Sequence, residues 1–349
     1  MLKYYTRACN FYYGKNSIEK IKKNLSIPLN GNRLISFDTI EIITRKNIKK
    51  LNIKKIKGLK SSIKKKILID IKNIKKEKKF KGLNFSSLPI LMGVLNLTPN
   101  SFSDGGKYLR GSLGINHAKK LIEDGCGILD IGGEATNPGS KDVSTNEEWK
   151  RISSTLLEIK NFKKFISLDT RKSEIMKKGI ENKINLINDV SGFEFDPDTI
   201  KVLKDTSIPF VIHHMQGNPK TMQKNPKYKN VILDIYDFFE KKLNFLRSKG
   251  ITHKNIILDP GIGFGKNLKH NITLIRNISI FHSLGFPIML GISRKRFIKD
   301  LSGKNDSKER LGGTISSSLF SITQGVQILR VHDVNEVNQS IKVFNSLKF

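Results

Sequence analysis

Cysteine is almost missing: Cys9 and Cys126 are the only two in 349 residues. Two residues so far apart fit no metal-ligand spacing and no disulfide framework, so a reducing, cytoplasmic setting is expected. No apolar run approaches the ~18 residues needed to cross a bilayer. The opening MLKYYTRACNFYYGKN also lacks the continuous apolar segment of a secretory signal. A membrane partner is therefore not expected. Acidic residues are scarce beside basic ones, 31 against 63, which leaves a formal charge of +32. Such an excess can point to nucleic acid, a membrane surface or an anionic substrate. The lysine-rich stretch, however, lacks the interleaved aromatics that would stack on single-stranded bases. Lys, Ile and Asn dominate together, as an AT-rich coding sequence would produce. A nucleic-acid partner is not expected either.

The charge is unevenly spread. Residues 1–88 hold 24 Lys and Arg against 5 Asp and Glu, a net of +19, and the remaining 261 residues carry +13. Sixteen lysines fall between Lys46 and Lys81, threaded with Ile48, Leu51, Ile53, Ile56, Leu59, Ile63 and Ile67. Their phase is clean for neither a helix nor a strand, and such charge runs are usually solvated faces. Upstream, NLSIPLNGNRLISFDTIEIITR reads as a small ordered unit, with a turn at Asn30-Gly31 and strand-like stretches at Leu34–Phe37 and Ile40–Ile43. The expected organisation is a lysine-rich amino-terminal extension over 1–88 and one domain over 89–349. The extension is expected to pack on that domain as a structural appendage, and its removal to leave some activity.

From residue 89 the pattern becomes regular. Short apolar runs recur at 89–96, 127–133, 165–170, 185–192, 208–214, 255–261, 286–293 and 326–333. Continuous Val/Ile/Leu runs of this kind suit parallel strands buried on both faces. Segments of helical period lie between them. Trp149, Ile152, Leu156 and Ile159 step by 3, 4 and 3, with capping-box spacing upstream at Ser144/Glu147 and Thr145/Glu148. Ile232, Ile235, Phe239, Leu243 and Leu246 repeat the pattern, and Gly250 is a plausible stop. Eight strands alternating with helices over 261 residues predict an α/β fold, a (β/α)8 TIM barrel, which typically spans ~250 residues. A doubly wound open sheet is the competitor; the count of eight and the polar strand ends favour closure.

In such barrels the active site lies at the carboxyl ends of the strands. Those ends read Asn96, Asp130 and Glu134, Asp169, Asn188 and Asp189, His213 and His214, Asp259, Ser293 to Lys295, and Arg330 to Asp333. One polar residue there is commonplace; eight in succession converge on one mouth. Acids and amides suit the edge of a nitrogen-rich heterocycle, while Lys295, Arg330 and His332 suit an anion. The stretch GIGFGK at 261–266 is neither a Walker loop nor a GxGxxG turn, and reads as part of the mouth with its backbone near substrate. His213-His214 does not predict zinc: adjacent residues on a strand point to opposite faces, and no HExxH accompanies them.

The strand-end motifs carry a family resemblance. LMGVLNLTPNSFSDGG at 91–106, DIGGEATNPGS at 130–140, LDT at 168–170 and INDVSG at 187–192 resemble, in order, the signatures of dihydropteroate synthases. HHMQGNPKTMQ at 213–223, LDPGIGFGK at 258–266, GISRK at 291–295 and RVHDV at 330–334 complete the set. The resemblance implies condensation of 6-hydroxymethyl-7,8-dihydropterin diphosphate with p-aminobenzoate, Mg²⁺ as cofactor and a homodimer. It implies catalytic roles for Asp104, Thr136, Asp169, Asp259 and Lys295. Substrate contacts are implied for Asn96, Thr136, Pro138, Asp169, Asn188, Met215, Asp259, Phe264, Lys295, Arg330 and His332, with Asn96 as the metal ligand.

Three positions depart from the family pattern. Asn100 stands where Asp is usual and Asn137 where Arg is usual, which removes a cation near pyrophosphate and p-aminobenzoate. Arg296 stands where Ser is frequent and could bind the p-aminobenzoate carboxylate bidentately. Two rival readings follow. A methyltetrahydrofolate-type pterin methyltransferase barrel would share the Asp/Asn pocket without needing the diphosphate apparatus. A non-catalytic pterin- or nucleic-acid-binding paralogue would use the basic amino-terminal third.

Overall fold

The computed structural model describes residues 2–80, 82–85, 89–98, 110–135, 140, 142–219 and 221–349. The amino-terminal part is an ordered unit of strands β1 (Tyr5–Tyr13), β2 (Ile27–Leu29), β3 (Asn32–Ile43) and β4 (Ile48–Asn52), with helices α1 (Gly14–Lys22) and α2 (Ser61–Lys75). The two strand-like stretches of the sequence merge into the single strand β3. It pairs antiparallel with β1 along its length, with β2 at its start and with β4 at its end. The Asn30-Gly31 turn joins β2 to β3, both residues at positive φ (54° and 79°).

The lysine run is more ordered than its composition suggests. Helix α2 buries Ile67, Asp70, Ile71 and Ile74, an i, i+3, i+4, i+7 stripe, beside Phe37, Ile40 and Ile42 of the sheet. Leu68 and Ile69 stay exposed, and this obscures the phase in the sequence. Asp70 is buried because Thr6 Oγ1 donates to it at 2.6 Å and Lys66 pairs with it at 2.5 Å.

Eight parallel strands follow: β7 (Ile90–Asn96), β8 (Ile128–Gly132), β9 (Phe165–Asp169), β10 (Leu186–Asp189), β11 (Phe210–His213), β12 (Ile256–Asp259), β13 (Met289–Gly291) and β14 (Ile328–Val331). Each falls in one of the eight apolar runs. They pair in the order β12-β11-β10-β9-β8-β7-β14-β13, and a parallel bridge between Leu258 and Ile288 closes the ring. The barrel is the closed one, not the open sheet. Helices α3 (Arg110–Glu123), α4 (Thr145–Ile159), α5 (Ser173–Glu181), α6 (Thr199–Lys204), α7 (Val231–Ser248), α8 (Leu268–Arg276), α9 (Arg296–Ser302), α10 (Leu311–Ile322) and α11 (Val334–Lys348) pack outside. Ser144 caps α4 by accepting from the Glu147 N–H, and Gly250, at φ 89°, follows α7. Among the described residues no helix is long and apolar enough to cross a membrane.

Strand alternation divides the barrel interior into two levels. Below, Met92, Ile128, Leu186, Val211, Ile257, Met289 and Ile328 form an apolar cluster with Phe80, Leu83 and Phe85. Those last three come from a hairpin, β5 (Lys79–Phe80) and β6 (Leu83–Asn84), and the coil after it, so the chain plugs its own barrel floor. Residues 79–85, grouped with the extension in the sequence, thus belong by packing to the barrel. The rest of the extension docks on the outside. Tyr5 and Ile43 join the outer barrel core, Arg45 pairs with Asp234 at 2.7 Å and Asp237 at 2.6 Å, and Ser279 Oγ donates to the Ala8 carbonyl at 2.9 Å.

Candidate active site

Two residues further along five of the seven strands that supply the apolar floor cluster, the inward positions turn polar. Asp130, Asp169, Asn188, His213, Asp259 and Arg330 sit at this upper level, all buried except Arg330, which is partly covered. The strand registers place Asn188 beside Asp169, His213 beside Asp259, and Arg330 beside Gly291. The sequence cannot bury such charges without partners, and the partners are here. Arg330 Nε donates to Asp130 Oδ2 at 2.6 Å and its Nη2 to Asp169 Oδ2 at 2.7 Å. Asn188 Nδ2 donates to the same Asp130 oxygen at 3.2 Å. Asp259 accepts the Gly261 N–H at 2.7 Å.

A pocket opens above this level, lined by Asn188, Val190, His213, Asp259, Ile262, Phe264, Met289, Gly291, Lys295 and Arg330. Lys295 lies before the first turn of α9 with its ammonium 4.1 Å from the centre of the Phe264 ring, a cation–π contact. The His213 ring meets the same Phe264 edge-on at 4.6 Å. The glycine-rich turn is stitched to its neighbours: Gln223 Nε2 donates to the Gly263 carbonyl at 2.6 Å and the Tyr228 hydroxyl to the Gly265 carbonyl at 2.8 Å. Gly261 and Gly265 have positive φ, 68° and 60°. A Cβ at either would stand 2.0 Å from the His214 carbonyl oxygen or 2.6 Å from that of Gln216, so only glycine fits.

Burial controls the ionisation of these groups. It raises Asp259 to about 6, against the Gly261 N–H bond and the nearby Lys295 and Lys266. Asp189 rises to about 6 for the same reason. Asp169 also rises through burial, opposed by Arg330 and assisted by Asp130. Burial and the like charge of Arg330 bring Lys295 down to about 8. Arg330 is held above its ordinary range; burial alone would lower it, but Asp130 and Asp169 outweigh that. The pocket therefore sets one lining carboxyl, Asp259, and one amine, Lys295, close to the neutral range, as acid–base and binding sites commonly do.

Of the residues singled out in the sequence, Asn188, Asp259, Phe264, Lys295 and Arg330 line one pocket, with Asp169 joined to it through Arg330. Asn96 ends β7 at the same mouth, half-buried beside Gly132. Met215 follows β11, half-buried, and His332 follows β14, its Nδ1 3.1 Å from Ser293 Oγ. Arg296 stands apart: its side chain is 75% exposed, with Nε 3.6 Å from Asp300 on its own helix. Asp104, Thr136 and Pro138 lie outside the described residues, as do Asn100 and Asn137. His213 and His214 do face opposite ways. His213 lines the pocket, while His214 packs on Phe238 and takes the Lys266 ammonium at 3.0 Å. Among the described residues no group of three or more His, Cys, Asp or Glu could hold a metal ion.

Two residues named in the sequence only as strand-end polar groups prove to hold the site together. Asp130 was only one strand-end acid among many, yet it anchors both Arg330 and Asn188. A carboxylate inside the apolar run ILDIG was the available signal, because a buried charge demands a partner. Arg294, at φ 59°, is tied through Nε to Asp333 Oδ2 at 2.9 Å and so fixes the turn that presents Lys295. Nothing in the sequence pairs residues 39 positions apart.

Comparison with known proteins places this geometry. Residues 92–332 match the sequence model of a family described as "Pterin binding enzyme". The chain is 40% identical over 264 residues to the dihydropteroate synthase of Neisseria meningitidis serogroup B, covering 74% of this chain and 93% of the relative. It is 38% identical over 258 residues to that of Escherichia coli K12, covering 74% and 91%. Among solved structures it resembles a Yersinia pestis dihydropteroate synthase with a sulfonamide drug complex, with a TM-score of 0.72 and 34% identity over 76% of this chain and 96% of the other. The Xanthomonas albilineans dihydropteroate synthase in complex with 7,8-dihydropteroate gives a TM-score of 0.69 and 30% identity over 76% and 95%.

Proposed function

The chain belongs to the pterin binding enzymes, and among them to the dihydropteroate synthases, and from that membership we propose a division of labour among its residues. The enzyme condenses 6-hydroxymethyl-7,8-dihydropterin diphosphate with p-aminobenzoate, giving 7,8-dihydropteroate and pyrophosphate. The C–O bond to the diphosphate breaks, the arylamine nitrogen bonds to the freed methylene carbon, and one amine proton is released.

The pterin lies against Asp169, Asn188, Asp259 and Lys295. As the leaving group departs, positive charge spreads from the methylene into the ring, and the carboxylates of Asp169 and Asp259 stabilise it. Arg330, Lys295 and His332 face the negative charge that builds on the pyrophosphate. The arylamine is neutral near pH 7, so the site needs no strong base to activate it. Phe264 and Met215 give the flat substrates apolar surface, and Arg296 is available to the carboxylate of p-aminobenzoate. Asp104, Thr136 and Pro138, which follow β7 and β8 in the sequence, help exclude water from the reactive cation. The supporting observation is one pocket that brings Asn188, Asp259, Phe264, Lys295 and Arg330 together at the barrel mouth.

Mg²⁺ belongs to the same proposal. Asn96 offers a neutral amide oxygen at this mouth, a donor that suits a hard cation taking its other ligands from phosphate oxygens and water. When bound, the ion would neutralise charge on the diphosphate. The apolar groove between α8, α9 and α10, where Leu301 and Phe320 are exposed, supports a homodimer. The two free thiols support a cytoplasmic setting. The methyltransferase and non-catalytic readings gain no comparable support.

The test is direct. Purified protein given dihydropterin diphosphate, labelled p-aminobenzoate and Mg²⁺ should form labelled dihydropteroate; no product from folded protein would overturn the reading.

A further inference from the structure

The pocket contains a group that the division of labour above leaves unused. His213 is 3% exposed, points inward from β11 beside Asp259, and lines the pocket together with Asn188 and Phe264. Its Nδ1 is buried with no hydrogen-bond partner in the structure. Asn188 Oδ1, in the same pocket, is likewise buried and unpartnered. Buried polar atoms are nearly always hydrogen-bonded, so an unpartnered pair in a binding pocket points to a ligand that completes them.

The hydrogen-bonding role of Nδ1 follows from its surroundings. Burial, with Lys266, Lys295 and Arg330 nearby, keeps the ring neutral. A neutral imidazole carries one proton, so one ring nitrogen donates and the other accepts, and a ligand N–H at Nδ1 selects the tautomer in which that nitrogen is the acceptor. Nδ1 is then a lone-pair acceptor. The ring is also fixed in place, edge-on to Phe264 at 4.6 Å and with its Cε1 only 3.0 Å from where a Cβ on Gly261 would stand. A fixed acceptor beside a second unpartnered acceptor and a carboxylate complements a flat ligand edge rich in N–H donors.

We propose that His213 is a further substrate-contacting residue, whose Nδ1 accepts a hydrogen bond from an N–H of the bound dihydropterin. The proposal rests on the dihydropteroate synthase reading and adds a specificity determinant to it. The contact is made to the pterin before and during reaction alike. Its loss should therefore weaken pterin binding and leave the chemical step little changed.

Calorimetric titration of the full-length protein with 6-hydroxymethyl-7,8-dihydropterin diphosphate tests this. His213→Met, which removes the acceptor at similar volume, should raise the Kd about tenfold, the scale of one hydrogen bond lost with its donor left buried. His213→Gln, which restores an acceptor, should recover most of the affinity. In steady state, KM for the pterin should follow the Kd, with kcat and KM for p-aminobenzoate within about twofold of wild type. Pterin affinity in His213→Met equal to wild type overturns the proposal, as does equal weakening in Met and Gln. Should His213→Met not fold, His213→Leu against His213→Gln makes the same comparison. Failure of the wild-type protein to bind the pterin diphosphate would instead bring down the reading on which the proposal stands.

Discussion

The two levels of the barrel interior are built on the same strands, two residues apart, and they obey different rules. At the floor, Met92, Ile128, Leu186, Val211, Ile257, Met289 and Ile328 close on Phe80, Leu83 and Phe85 as one apolar cluster. At the mouth, the next inward positions are Asp130, Asn188, His213, Asp259 and Arg330, whose burial is tolerated through pairing. A floor substitution should change stability and spare the chemistry; a mouth substitution should do the reverse. Natural barrels divide labour in this way, with stability at the bottom face and catalysis at the top.

The largest effect that could break this comparison comes from truncation. Removal of 1–85 takes away the floor plug as well as the docked sheet, and uncovers the cluster around Met92 and Val211. The sequence alone predicts that some activity remains; the packing of Phe80, Leu83 and Phe85 argues for the opposite outcome. Such a protein should lack a cooperative thermal transition and all turnover, and a folded, active truncate would refute the account of the floor. Next come Lys295→Ala and Asp259→Asn, expected to lower turnover by about a thousandfold or more, about 4 kcal/mol of transition-state stabilisation. Melting temperatures should stay close to wild type, since neither side chain supports the core. Phe85→Ala should cost about 3–5 kcal/mol of stability in urea titration, with kcat per folded molecule nearly unchanged.

The pH profile sharpens the contrast further. Asp259, raised to about 6, must be ionised to stabilise the pterin cation, and Lys295, lowered to about 8, must keep its proton to face the anion. The rate kcat/KM for the pterin should therefore fall below about pH 6 and above about pH 8, and Lys295→Arg should move the alkaline limb upward. A flat profile from pH 5 to 9 would separate these groups from catalysis. The smallest effect belongs to the docking surface. Arg45 is 44% exposed in its pairs with Asp234 and Asp237, so Arg45→Ala should cost about 1 kcal/mol or less and become neutral in high salt.

The eight barrel strands were legible because strands buried on both faces must be apolar throughout, and runs such as GILDIGG and NIILDPG admit few other readings. Helices α4 and α7 were legible through their period and caps. Helix α2 was not, because Leu68 and Ile69 carry apolar side chains on its solvent face and obscure the buried stripe. The floor plug was invisible for a different reason. Phe80, Leu83 and Phe85 form no pattern of their own, and only the closed barrel gives them a place to go.

The site divides along the same line. Chain order and chemical type put acids, amides and cations at successive strand ends, because each strand must stop being apolar where it reaches the mouth. That much, with the fold class and the family, follows from the sequence alone. Which carboxylate holds Arg330, which histidine lines the pocket and which turns away, and where Arg294 finds Asp333, depend on strand register and barrel closure. These contacts join residues up to 200 positions apart, and side chains that distant are brought into register only when the whole ring of strands has packed.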